Sequence, residues 1–409
     1  MTTRNKTQVS SSSNNHPTQI SEFKFFPPEI WIQILAKLPA KSLLKFRCVC
    51  KSWCSIIDDP DFIHIHFQLC QIPNSGNNTR SLLALEGLEY RQNQWAGCLL
   101  TIVHCETLQE TGLIFRKSDL YSYRIIGSCN GLILVIRNDG HPFYQKDLRL
   151  WNPCIRKSLV IPTCPLPSSL LMYAVYVFGF ALTSKDYKVV AIASEKSVGE
   201  VPRRMYVAVY TLHDQQWTVR NDGLNVRSPN IIGRFWPYYC LSAAVFLKGV
   251  AYWLGNLDRD GNQFSHLGSF DFDTEEFAFS GLPSSWEERG SFRHLFLLGE
   301  SLAIFRISEV ASSIWVLDQD NKKGPWIRRF SGKSSQDGYE LFRFLLNQKV
   351  FFCENDGGYF ICGNKSYNIA SSEVQEFKEF KSLSLQLEVY SETLVLSQGY
   401  GVSDLRFFP

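Results

Sequence analysis

The spacing of apolar positions changes once along this chain, near residue 80. From Phe25 to about His66 the pattern is helical. Ile30, Ile34 and Leu38 fall at i, i+4 and i+8, and Trp31 and Leu35 lie on the adjoining stripe. This predicts an amphipathic helix with a wide apolar face. Pro27-Pro28-Glu29 opens it. Proline suits the first turn, where its missing N–H costs nothing, and an acidic residue there suits the helix dipole. Pro39 stops the helix. A second run, Ser42 to Val49, carries Leu43, Leu44, Phe46, Cys48 and Val49. A third, about Lys51 to Ile57, carries Trp53, Ile56 and Ile57 and ends at Asp58-Asp59-Pro60.

Three short helices in roughly 40 residues sit at the lower limit of independent folding. So much apolar surface on so little chain calls for a cover. Another polypeptide or the chain's own β-region could supply it, and periodicity is compatible with both.

After about Leu82 the apolar runs become short and alternating, with Gly and Pro punctuation. One theme recurs. A hairpin with Asn or Gly at its turn runs Ser128-Cys129-Asn130-Gly131-Leu132, then Leu247-Lys248-Gly249-Val250, then Leu298-Gly299-Glu300-Ser301. A second hairpin follows each, with an aromatic strand and a polar turn: Leu150-Trp151-Asn152-Pro153, Val209-Tyr210 to Trp217, Phe270 to Phe277, and Ile314-Trp315-Val316-Leu317. The spacing of roughly 50–60 residues suits a four-stranded unit of propeller type. One such sheet cannot bury both faces alone, whereas a ring can. The expectation is therefore a mainly β chain with a small N-terminal α module: three helices, then a β-propeller of about six or seven blades. A stack of sheets without closure is the competing architecture. The expected divisions are a polar, disordered tail at 1–22, the helical module at 23–67, a turn-rich linker at 68–81 and the β-domain at 82–405.

Composition narrows the function. Of 409 residues, 45% are hydrophobic and 14% aromatic, and 42 Lys and Arg against 39 Asp and Glu leave a formal charge of +3. That is globular and nearly balanced, without the basic excess of a nucleic-acid binder. Met1 to Gln19 lacks an apolar core of signal-peptide length, and no run approaches ~18 apolar residues. The expectation is a soluble protein of the cytoplasm, the nucleus or both, with no membrane partner and reduced thiols among its 12 cysteines.

Candidate chemistry adds little. Cys48, Cys50, Cys54, His64, His66 and Cys70 lack the paired spacing of a structural zinc site, so buried, small-apolar cysteine is the expected role. Gly332-Lys333-Ser334 lacks the leading glycine of a phosphate loop, since position 327 is Ile. Neither G-x-S-x-G nor H-E-x-x-H occurs. Asp271, Asp273, Glu275 and Glu276 read as a solvated acidic turn rather than a calcium site. Tyr210, Trp217, Tyr252, Trp253, Phe270 and Trp315 sit at equivalent strand positions and are expected to pack between blades. Arg156-Lys157 and Arg203-Arg204 read as solvated faces. No catalytic residue, metal or cofactor is expected.

The run Phe26-Pro27-Pro28-Glu29-Ile30, then Ile34-Leu35-Ala36-Lys37-Leu38-Pro39-Ala40-Lys41-Ser42-Leu43-Leu44-Lys45-Phe46-Arg47-Cys48-Val49-Cys50-Lys51-Ser52-Trp53, strongly resembles the F-box of plant F-box proteins. Phe26-Pro27 stands where that family usually has Leu-Pro. The remainder is similar to the F-box-associated domain of the F-box/kelch-like plant group. The matching pieces are Gly127-Ser128-Cys129-Asn130-Gly131-Leu132, Leu150-Trp151-Asn152-Pro153, Phe178-Gly179-Phe180 with Asp186-Tyr187-Lys188-Val189-Val190, and Gly249-Val250-Ala251-Tyr252-Trp253-Leu254. Ala181-Leu182-Thr183 departs from the usual polar start after the Phe-Gly-Phe motif.

The resemblance implies a non-catalytic adaptor of a Skp–cullin–F-box ubiquitin ligase. The helices would dock on the Skp adaptor, and through it on the cullin scaffold. The β-domain would hold an unidentified protein target for ubiquitin transfer by other subunits. Carried over by position, the adaptor-facing residues are Phe26, Pro27, Ile30, Ile34, Leu35, Leu38, Pro39, Leu43 and Leu44. Rim loops such as Leu254–His266 and Pro283–Arg293 are the expected place for target contacts. The alternative is a propeller that binds a glycan or small ligand, with the helices merely packed on it.

Overall fold

The computed structural model describes residues 26–70 and, from 81 to 404, the strands together with 130–131, 147, 153–156, 161–171, 174, 182–185, 212–215, 244, 248–249, 272–276, 282 and 391–397. The tail at 1–22, residues 71–80 of the expected linker, Arg203-Arg204 and the inner parts of both rim loops lie outside the described residues.

Four helices open the fold: α1 (Pro28–Leu35), α2 (Ala40–Phe46), α3 (Lys51–Asp58) and α4 (Pro60–Cys70). The first three answer to the expected runs. The fourth continues where Pro60 was expected to end the helical run. Proline does end α3, but it also suits the first position of a new helix. Asp59 Oδ1 accepts the N–H groups of Asp61 at 2.8 Å and Phe62 at 3.3 Å, capping α4. Cys50 does the same for α3, its thiol accepting the Trp53 N–H at 3.4 Å. Among the described residues no helix is long and apolar enough to cross a membrane.

The β-region forms six large sheets among the described residues. The first contains β1 (Ser81–Gly87), β4 (Cys98–His104) and β5 (Glu110–Lys117), with the short pair β2 (Tyr90–Arg91) and β3 (Gln94–Trp95) between them in sequence. The second contains β6 (Ser122–Cys129), β7 (Leu132–Asn138), β8 (Leu148–Asn152) and β9 (Lys157–Val160), and the short α5 (Ser168–Leu171) follows it. The third is β10 (Val175–Ala181), β11 (Asp186–Ser194), β12 (Met205–Thr211) and β13 (Gln216–Arg220). The fourth is β14 (Val245–Leu247), β15 (Val250–Asn256), β16 (Phe264–Asp271) and β17 (Phe277–Gly281). The fifth is β18 (Phe292–Leu298), β19 (Ser301–Ile307), β20 (Ala311–Leu317) and β21 (Trp326–Lys333). The sixth is β22 (Leu341–Leu346), β23 (Lys349–Asp356), β24 (Tyr359–Asn368) and β25 (Val374–Glu376).

Two further strands tie the ends together. β26 (Leu385–Tyr390) pairs antiparallel with β1, from Ser81 opposite Tyr390 to Glu86 opposite Leu385, so the first sheet draws on both ends of the β-region. β27 (Ser403–Asp404) adds to β9 at the outer edge of the second sheet. Contacts run from β26 to β6, β6 to β10, β10 to β15, β14 to β18, β18 to β22, and β22 back to β26. The circuit closes as a propeller rather than an open stack.

The tight turns share one rim. Hairpin β6–β7 turns at Asn130 (φ 48°) and Gly131 (φ 81°), and β14–β15 turns at Lys248 (φ 48°) and Gly249 (φ 84°). Positive φ at both central residues matches the twist of a two-residue hairpin. The inner hairpin β10–β11 and the outer hairpins β8–β9, β12–β13 and β16–β17 each set one residue at positive φ within two positions of the return strand: Lys185, Arg156, Gln215 and Glu275. In up-and-down sheets all these turns lie at the same end, and the connections β7–β8, β11–β12, β13–β14, β15–β16 and β17–β18 leave from the other.

Candidate functional site: the exposed face of the helical module

Ile30 and Ile34 line one side of α1, and Phe26, just before the helix, continues the four-residue spacing. Phe26, Ile30 and Ile34 remain 55%, 36% and 46% exposed. Pro27 and Pro39 are exposed as well, while Leu38 and Leu44 are half-buried. The opposite side of the same helices is sealed: Leu35 is 1% exposed, and Leu43 is fully buried. The nine residues carried over by resemblance therefore divide. Seven reach the surface to some degree, and Leu35 and Leu43 face inward. Aromatic contacts brace the exposed side. Phe26 meets Trp31 edge-on at 5.8 Å, Trp31 meets Trp53 at 5.0 Å, and Trp53 meets Phe46 at 5.5 Å, linking α1, α3 and α2. Arg47 Nε pairs with Asp58 Oδ1 at 2.7 Å and fixes the end of α2 against α3.

Leu35, Ala36, Ala40, Leu43, Ile57 and Phe62 share one apolar cluster with the second sheet and with Tyr390, Leu394 and Leu396. Tyr390 ends the ring-closing β26, and Leu394 and Leu396 belong to the segment just after it. Its Glu392 carboxylate accepts the Ala40 N–H at 3.1 Å, in the first turn of α2. Buried His66 of α4 donates from Nε2 to the Leu38 carbonyl at 2.9 Å, tying α4 to the bend between α1 and α2. Burial pushes the His66 imidazole below its usual pKa, against weaker opposing effects of the Leu38 carbonyl and the Glu392 charge. On the rim, Lys185 of the β10–β11 turn meets Asp61 of α4 at 2.8 Å, an exposed pair that adds little stability.

Two matched families coincide with these two parts. The F-box domain matches residues 25–65, and the F-box associated beta propeller domain matches residues 102–398. The chain is an F-box protein. More fully, it belongs to the F-box proteins that carry this propeller. An F-box/kelch-repeat protein of Arabidopsis thaliana is 28% identical over 184 residues, 44% of this chain and 48% of that protein. The chain thus spans about half the length of that relative. An F-box/WD-40 repeat-containing protein of the same plant is 24% identical over 83% of this chain and 77% of its own length. A putative F-box protein is 23% identical over 80% of this chain and 86% of its own length. Among solved structures, a putative 6-phosphogluconolactonase from Bacteroides uniformis covers 75% of this chain and 99% of its own at 11% identity and TM-score 0.40, too low to bear on activity.

Within this F-box protein the family motifs have structural duties. Asn152, from the Leu-Trp-Asn-Pro stretch, is fully buried. It donates to the carbonyls of Thr393 at 2.9 Å and Val395 at 2.7 Å, and its Oδ1 accepts the N–H groups of Cys154 at 3.0 Å and Ile155 at 3.4 Å. Gly131 has no room for a Cβ, which would collide with the Ser391 carbonyl and the Thr393 side chain. Gly179, from Phe-Gly-Phe, is likewise covered by Phe272 and Phe246 of the next sheet. Asn152 and Gly131 therefore anchor the segment that backs the F-box, and Glu392 within it carried no sequence signal.

The remaining candidates resolve as follows. Cys48 and Cys50 are exposed and Cys54 and Cys70 half-buried, contrary to the expected burial, because Cys48 lies in the α2–α3 bend and Cys50 caps α3. Buried thiols do occur in the second sheet and just after it, at Cys129, Cys154 and Cys164; burial pushes Cys154 up to about 12, with Glu392 adding to the rise. Among the described residues no cluster of three metal-ligating side chains occurs. The acidic turn is more than solvated. Asp271 Oδ1 accepts the N–H of Asp273 at 2.8 Å, Asp273 accepts the Thr183 N–H at 2.7 Å, and Glu275 takes Lys188 at 2.8 Å and also meets Arg220. It clamps the third sheet to the fourth. Tyr210, Trp253 and Phe270 are buried, and Trp217, Tyr252 and Trp315 are partly so.

Proposed function

We propose that this protein is the substrate-recognition subunit of a Skp–cullin–F-box ubiquitin ligase and performs no chemistry of its own. The observation that carries the reading is the exposed stripe Phe26, Ile30 and Ile34 on helices whose other side the chain itself seals. Surface of that kind gains about 1.5–3 kcal/mol per fully buried large aliphatic side chain, and a Skp-family adaptor is the partner that family membership indicates. Pro27 and Pro39 extend the contact, and Leu38 and Leu44 border it. Leu35 and Leu43 set the helix angles from beneath.

A protein target would bind at the rim opposite the F-box. The F-box side is occupied by tight turns, by α4 and by the segment 391–397. The strand ends Asn138, Ser194, Arg220, Asn256 and Gly281 lie at the other side, and recognition concentrates on loops held by a rigid scaffold. The cytoplasm, the nucleus or both would be the place of action. The test is co-purification of the full chain with a Skp-family adaptor and its cullin. Wild type should retain both, and the double variant Ile30→Asp/Ile34→Asp neither, while keeping a wild-type melting profile. A wild-type chain that captures no adaptor removes the proposal.

A further inference from the structure

The inner side of the F-box is closed by the same seven residues that follow the ring-closing strand. β26 ends at Tyr390 after pairing with β1. The chain then crosses to the second sheet, where Asn152 holds the carbonyls of Thr393 and Val395, and Gly131 makes room for Ser391 and Thr393. From that position Glu392 reaches the first turn of α2, and Leu394 and Leu396 enter the cluster that buries Leu35, Ala40, Leu43 and Phe62. Four short helices at the lower size limit of a stable fold lack the interior to set their own arrangement. The strap covers their inner side, held at one end by the β26–β1 pairing and along its length by Asn152 and Gly131.

We infer that the strap Ser391–Ser397 makes the docking face conditional on a closed propeller: the helices display Phe26, Ile30 and Ile34 together only when β26 has paired with β1. A chain with an open ring would then present no intact docking face, so a ligase would not be loaded with a subunit unable to hold a target. Only this consequence rests on the adaptor reading; the coupling of strap to helices stands apart from it.

Hydrogen exchange on the full chain tests the coupling. In Glu392→Ala and Leu394→Ala, amides of 28–46 should exchange at least about tenfold faster than in wild type, while Val175–Ser194 keeps its protection. Glu392→Gln retains an oxygen acceptor and should stay near wild type. Asn152→Ala, which alters no helix residue, should release strap and helices together; if it unfolds the third sheet as well, the Glu392 and Leu394 variants decide. Helices at wild-type protection beside a strap that exchanges tenfold faster would overturn the inference. So would full adaptor affinity in a variant whose strap is loose. A wild-type chain that binds no adaptor yet shows the coupled exchange would instead reject only the ligase reading.

Discussion

The side-chain amide of Asn152 donates to the Val395 carbonyl at 2.7 Å, across 243 positions of chain. With its bond to Thr393 and its two accepted N–H groups, it satisfies the full capacity of a buried amide. Replacing it leaves two carbonyls and two N–H groups short of partners. Asn152→Ala should therefore destabilise the protein by about 2–4 kcal/mol. Denaturant titration monitored by tryptophan fluorescence reads this. A loss below about 0.5 kcal/mol would mean the site is not held as described.

Gly131 combines positive φ with a contact that excludes a side chain. Gly131→Ala should cost about 2 kcal/mol or more, since strain at φ > 0 and collision with the strap add. Gly281 provides the control: a Cβ there meets nothing within 4 Å, so Gly281→Ala should fall within about 0.5 kcal/mol of wild type. Paired thermal melts separate the two.

Lys188 is 8% exposed and donates to the Phe272 carbonyl at 2.9 Å and to Glu275 at 2.8 Å. Lys188→Met leaves that carbonyl unpaired and Glu275 with only Arg220. The expected loss is about 2 kcal/mol, below the ~3–5 kcal/mol of an isolated buried pair because Arg220 remains. Lys188→Met combined with Glu275→Gln should recover part of it. A double-mutant cycle in urea gives the coupling, and strictly additive losses would contradict the clamp.

His66 predicts a dependence on pH. Its folded-state pKa is lowered, chiefly by burial, so below the unfolded value of about 6.5 the unfolded chain binds the proton more readily. Stability from neutral His66 is fully present above that pH and is lost as pH falls towards the folded pKa. Helical signal at 222 nm should melt earlier at pH 5.5 than at pH 7.5. His66→Gln keeps a donor for the Leu38 carbonyl and should flatten the difference. An unchanged slope in that variant would assign the effect elsewhere.

Local chemistry was legible in the sequence, and long-range contact was not. Asn130-Gly131 and Lys248-Gly249 announced their hairpins because a two-residue turn demands positive φ from its own residues. Pro39 and the Ile30/Ile34/Leu38 spacing placed α1 and α2 for the same reason. Pro60 reads as a stop, and the cap supplied by Asp59 makes it a start as well. The wide apolar face of α1 gave no sign of which half the chain would cover, because periodicity reports a face and not its cover. Leu35 and Leu43, which the resemblance groups with Ile30 and Ile34, pack inward. Glu392 had no signature at all: one carboxylate after a strand gains meaning only from Ala40, 352 positions earlier.

The most direct measurement of the central claim is the affinity of the full chain for a purified Skp-family adaptor by titration calorimetry, comparing wild type with Ile34→Asp and Val160→Asp. Both positions are exposed, at 46% and 49%, but Val160 belongs to the propeller. The account predicts wild-type affinity in Val160→Asp and a loss of at least about 30-fold in Ile34→Asp, the effect of removing an anchor worth about 2 kcal/mol. Equal affinities in all three chains, or no measurable binding by wild type, would contradict it.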